Sequence, residues 1–168
     1  MGMDERPAAK LVLLTGFGVM LLSGCLKTEE FPKEPAVTFK SLEQFGDSAS
    51  LTIGFTDGDG DIGLSAFDTQ APFDTGSVYY HNLFLEYAEL RNGVWTDVDL
   101  LLPLNYRIPR ITPEGQNKAL SGEIAVALKP WPIVPGNSFD TVRFSVRMVD
   151  RELNQSNTVI TDAVKVQP

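Results

Sequence analysis

A single cysteine, Cys25, and a single histidine, His81, are all that 168 residues provide, and each scarcity removes a class of chemistry. One thiol allows no intramolecular disulfide. One imidazole leaves a His-based metal site, or a Ser-His or Cys-His nucleophile, without its parts, so His81 reads as structural or simply exposed. Long apolar runs are missing too: Leu11–Leu22 has 12 residues, against the roughly 20 needed to cross a hydrocarbon core of about 30 Å. Lys and Arg number 14 against 22 Asp and Glu, for a formal charge of -8, and no basic run interrupts this excess. Phosphate backbones need clustered cations, so nucleic acid is excluded as a partner. No window carries the periodicity of an amphipathic helix, which removes parallel α/β topologies.

What the N-terminus does have is the layout of a secretory signal over residues 1–24. Arg6 and Lys10 form a short basic region, the apolar run follows, and Ser23 and Gly24 supply small residues. Leu22-Ser23-Gly24-Cys25 resembles the lipobox of bacterial lipoproteins. That resemblance implies cleavage before Cys25 and a covalent lipid on it; the alternative is an incidental cysteine behind an ordinary signal. One acyl chain binds a membrane with only about 10⁴ M⁻¹, so stable anchoring requires more than one. Leu26-Lys27-Thr28-Glu29-Glu30 resembles the Lys-plus-acidic export tag of surface-exposed lipoproteins in Bacteroidetes-type bacteria. It implies outer-membrane attachment and outward display. Removing residues 1–24 takes Asp4 and Glu5 with Arg6 and Lys10, so the charge of -8 is unchanged. The charge sign favours cations, or neutral ligands such as glycans and protein surfaces.

Residues 25–35 read as a lipidated tether, because Thr28–Pro35 is charged, punctuated by proline and without apolar periodicity. Residues 36–168 are then one domain, long enough to bury about two thirds of its unfolded surface. Its period is two almost throughout. Val37 and Phe39 share a face, as do Ala49, Leu51, Ile53 and Phe55. Leu83–Leu90 runs into Asn92-Gly93, the favoured pair for a tight hairpin, whose central residues both take φ > 0. Leu100, Leu102, Leu104, Tyr106 and Ile108 keep one parity, and Pro103 and Pro109 mark that segment as an edge strand. Ile124, Val126 and Leu128 form the next inward set, and a proline-rich loop spans Lys129–Gly136. Val142, Phe144, Val146 and Met148 alternate with polar residues, and a last strand covers Thr158–Val166.

About seven such strands predict an all-β fold, an antiparallel β-sandwich. The stretch from Val142 through Asp150, Asn154, Ser156 and Asn157 to Thr161 resembles the final hairpin of bacterial immunoglobulin-like and fibronectin type III-like domains. The chain departs from them in lacking the inter-sheet cysteine pair and in a long excursion over Asp61–His81.

The segment with chemistry in it is Thr56-Asp57-Gly58-Asp59-Gly60-Asp61-Ile62-Gly63-Leu64. Carboxylates at alternate positions, separated by glycines, can converge on a hard cation such as Ca²⁺, which takes six to eight oxygens. Asp57, Asp59, Asp61 and Asp68 match positions one, three, five and twelve of an EF-hand-type loop. Position six, however, holds Ile62 where glycine belongs, and the flanks are strands. The coordination logic carries over and the helix-loop-helix fold does not. The segment also resembles a recurrent Asp-Gly-rich stretch in Bacteroidetes lipoproteins of unassigned function. In a sandwich, Ala49–Phe55 and Val142–Val149 end at the same pole, which brings Asp150, with Asn154, toward the aspartates as a shared calcium site. The bland alternative is a solvated turn, since Asp and Gly both tolerate unusual φ.

Trp95 is expected in the core. Trp131, in the proline-rich loop, is either core or a platform for a sugar, and Phe73, Tyr79 and Tyr80 are further stacking candidates. The functional expectation is a non-catalytic module that binds a glycan or protein partner, held at the membrane through its lipid anchor. The alternative is a structural subunit of an outer-membrane assembly.

Overall fold

The computed structural model describes residues 30–111, 118–134 and 138–167. Residues 1–29, with the expected signal segment and Cys25, lie outside the described residues. Nine strands are present, with no α-helix among the described residues: β1 (Ala36–Phe45), β2 (Ser48–Asp57), β3 (Leu83–Arg91), β4 (Val94–Asp97), β5 (Leu104–Tyr106), β6 (Leu120–Leu128), β7 (Thr141–Met148), β8 (Val159–Ile160) and β9 (Val164–Lys165). They form two antiparallel sheets. One has the order β1-β2-β6; the other runs β4-β3-β7-β8, with β5 also on β3 and β9 also on β7. The inner faces meet in one core, where Val37, Leu51 and Ile53 of the first sheet pack with Leu85, Phe144 and Val146 of the second.

The alternation read in the sequence is clearest in β7, whose Val142, Phe144, Val146 and Met148 are all fully buried while the residues between them are half-buried. The β3–β4 turn falls at Asn92 (φ 51°) and Gly93 (φ 80°), the left-handed pair that matches strand twist in a two-residue hairpin.

Among the described residues the strands number nine where about seven were expected, and three details account for where the chain departs from simple alternation. In β1 the register steps between Phe39, opposite Ile53, and Ser41, opposite Thr52. This bulge at Lys40 shifts the parity, so that Leu42 rather than Ser41 joins the core. The segment around Leu100 is a strand only over Leu104–Tyr106. Pro103 removes the donor that would extend the ladder, and Leu101 is left 97% exposed. The last strand is two short pieces, β8 and β9, because Thr161 turns aside to hydrogen-bond Phe144 through both its amide and its hydroxyl.

Candidate metal centre

Strand parity explains why an aspartate is buried at the end of β2. Ala49, Leu51, Ile53 and Phe55 point into the core, and Asp57 is the next position of that set, 0% exposed. Just past the end of β7, Asp150 continues the parity of Val142, Phe144, Val146 and Met148 and is 2% exposed. The two strands end at one pole, so carboxylates turned inward by the pleat come together where the core stops.

The loop after β2 brings in two more. Gly60 takes φ +72°, a left-handed conformation suited to glycine. It bends the chain back so that the Gly60 and Asp61 amides both donate to Asp57 Oδ1. Asp57, Asp59 and Asp61 thereby place one carboxylate oxygen each within 4.8 Å of one another. Asp57 Oδ2, Asp59 Oδ1 and Asp61 Oδ1 are buried and have no hydrogen-bond partner among the described residues. Like charges this close repel by about 1 kcal/mol per pair even in bulk water, and by several times that in a partly buried setting. Buried polar atoms are normally satisfied by protein, water or an ion, and three orphaned acceptors in one acidic cluster make it a candidate cation site.

Electrostatics agree with the geometry. Burial is the main cause raising the pKa of Asp57; its bonds to the Gly60 and Asp61 amides oppose the rise, and the charges of Asp59 and Asp150 add to it. Burial pushes Asp61 up to about 6, helped by Asp150, Asp57 and Asp59. Asp150 is also raised by burial, against its hydrogen bonds to Asn154.

The loop is held on three sides. Ile62 and Leu64 are buried, and Leu64 N donates to Ile108 O while Ile111 N donates to Ile62 O. Asn82 fixes the Ile108 backbone through both ends of its amide. On the second side the Glu152 amide donates to Asp61 Oδ2 at 3.1 Å, and the Arg151 guanidinium donates to the carbonyls of Ile62 and Gly63. On the third side lies the N-terminal arm. A Cβ on Gly58 would stand 2.2 Å from the Phe31 carbonyl oxygen, and Lys33 Nζ reaches Asp59 Oδ2 at 3.6 Å. A freely solvated turn has none of these restraints.

The structure separates the other candidates. Asp150 belongs with the cluster electrostatically. Asn154 serves Asp150, donating to it from both its amide N–H (2.8 Å) and its side chain (2.8 Å), which makes it a positioning residue for that carboxylate. Asp68 stands apart: burial of Ile62 and Leu64 diverts the chain, and Asp68 Oδ2 instead accepts the Ser65 amide at 2.7 Å, closing its own turn. Trp131 is 4% exposed, tilted against Phe144, with its indole N–H donating to Gln44; it is core, and its ring face is not open to a sugar. Trp95 is the reverse of its expectation: half-buried on an outer sheet face, it lies under the Arg143 guanidinium at 4.3 Å. Phe31, Lys33, Asn82 and Arg151 had no distinguishing signal in the sequence, since their roles come from backbone contacts across the fold.

Comparison with known proteins finds no match to a family model, to a curated protein or to a solved structure. The chemistry therefore rests on the cluster itself. Its donors are all carboxylate oxygens, the preference of a hard cation, and a Ca²⁺ shell of six to eight oxygens needs further ligands from Asp150, main-chain carbonyls or water.

Proposed function

We propose that this chain is a lipid-anchored envelope protein whose β-domain is a non-catalytic binding module for a glycan or protein partner. Calcium, in this reading, ties together the pole at which the anchor enters. The observation that carries it is the set of three buried, unpartnered oxygens of Asp57, Asp59 and Asp61, a cost that a divalent cation would convert into stability. The strand order supports an immunoglobulin-like sandwich: β1-β2-β6 stands for strands A, B and E, and β3-β7-β8 for C, F and G. The absence of catalysis is read from the same cluster, whose carboxylates share one loop instead of flanking a cleft.

Thermal melting of the protein in calcium against chelator tests the reading. Calcium at 100 times its dissociation constant adds about 2.7 kcal/mol, or about 10 °C for a domain of this size. The Asp59→Asn variant removes one charge without disturbing a backbone hydrogen bond. It is expected to lose the calcium shift, and in chelator to melt within about 1 kcal/mol of wild type, because relieved repulsion is offset by loss of the Lys33 pair. Equal melting in both conditions by both proteins would leave only the turn.

One observation favours the structural-subunit reading as a second choice. β6 pairs with β2 along one edge, and no strand covers its other edge among the described residues. An open edge is a template for strand addition. Co-purification of envelope proteins that is lost on placing a proline at Ala125 would support it.

A further inference from the structure

Away from the aspartate pole's interior, on the outer face of the second sheet, is a pocket of about 400 Å³. Its floor is a row across three strands: Arg147 of β7 stands opposite Phe84 of β3, which stands opposite Asn105 of β5. Glu86 lies two residues along the same face of β3, and His81 also lines the pocket. The Arg147 guanidinium carbon lies over the Phe84 ring, 4.2 Å from its centroid. That contact localises the charged fork over an apolar ring, and it spends none of the N–H groups on a hydrogen bond. Among the described residues, Arg147 has no carboxylate in ion-pair range, and the Asn105, Glu86 and His81 side chains have no hydrogen-bond partner. Burial and the Arg107 charge lower the His81 pKa, so at neutral pH the ring offers one donor and one acceptor.

These groups specify a ligand chemistry. A guanidinium with free N–H groups suits a planar carboxylate, which it can grip with two parallel hydrogen bonds. Glu86 opposes a second negative charge and accepts from hydroxyls, so a phosphate or a dianion fits poorly. Asn105 and a neutral His81 can each give and take a hydrogen bond with hydroxyls. A single carboxylate on a polyhydroxylated ring answers all four, and the volume is within the range of small-ligand pockets.

We propose that this pocket binds a uronic-acid residue of an acidic glycan, with the sugar carboxylate on Arg147 and its hydroxyls on Glu86, Asn105 and His81. The proposal rests on the binding-module reading and names its ligand class; it does not depend on calcium.

The test is titration calorimetry of the full chain in detergent with trigalacturonate, its methyl ester and neutral maltotriose, in calcium and in chelator. Trigalacturonate is expected to saturate, and the methyl ester, which lacks only the charge, to bind about tenfold more weakly or worse. Arg147→Met keeps an aliphatic stem over Phe84 and is expected to abolish the preference for the acid. Asn105→Ala, which leaves the stack intact, is expected to weaken binding severalfold and guards against a misfolded arginine variant. Equal affinity for acid and ester, no saturation at millimolar sugar, or undiminished binding by both variants would overturn the proposal. So would binding that chelator abolishes and the Arg147 substitution does not touch, because that places the sugar on the aspartate loop. Melting in calcium against chelator reports separately on the cation site.

Discussion

Asp57 occupies a position where the pleat of β2 calls for a hydrophobe, and its neighbours make the choice costly without a counter-charge. Acid is the other way to neutralise it. The pKa values of Asp57, Asp61 and Asp150 are raised in the folded protein, Asp61 to about 6, above the unfolded value of about 3.9. Their protonated forms therefore favour the fold. That contribution is fully present below about pH 4 and is lost as pH rises through about 6. In chelator the melting temperature is expected to rise as pH falls from 7 to 5. The calcium shift is expected to shrink over the same window, because cation and protons compete for the same oxygens. Melting temperatures in chelator that stay level or fall from pH 7 to 5 would contradict the raised values. At this scale the sequence disclosed the convergence of Asp57, Asp59 and Asp61, because alternate spacing and glycines are local. It did not disclose that Asp68 stays away or that Trp131 is buried, because both depend on where distant segments press.

Among the elements, two glycines with similar backbone angles divide the labour of the loops. Gly93 (φ +80°) has open space where a Cβ would go, while at Gly63 (φ +87°) a Cβ would lie 2.1 Å from the Pro109 carbonyl oxygen. Gly93→Ala is expected to cost about 1 kcal/mol, the left-handed penalty alone. Gly63→Ala adds a clash with backbone, so it is expected to cost about 3 kcal/mol or more, and to weaken calcium binding by shifting the aspartate loop. Denaturant melts of the two variants, with and without calcium, check both. The hairpin at Asn92-Gly93 was legible in advance because its turn chemistry is contained in two residues. The bulge at Lys40 was not: it depends on how Leu42, rather than Ser41, meets the opposite sheet. The arm before β1 also looked like plain tether, yet its Phe31 carbonyl packs on Gly58 and its Lys33 pairs with Asp59.

For the molecule as a whole, the proposed lipid on Cys25 can be detected directly. Cells fed a fatty-acid probe are expected to label the wild-type protein and not a Cys25→Ala variant, which should accumulate unprocessed; an unlabelled wild type would overturn the reading. If the lipid is there, the arm lying across Gly58 sets an orientation. Phe31 is six Cα–Cα steps from Cys25, a reach of at most about 20 Å, so the acidic pole would hang close to the headgroups while β9 and the Trp131 end point away. A surface potential of about -30 mV concentrates a divalent ion roughly tenfold over bulk. Docked within that ionic cloud, a weak site would fill at calcium levels that leave it bare on a protein released into solution, and occupancy would report whether the domain is still seated on its membrane.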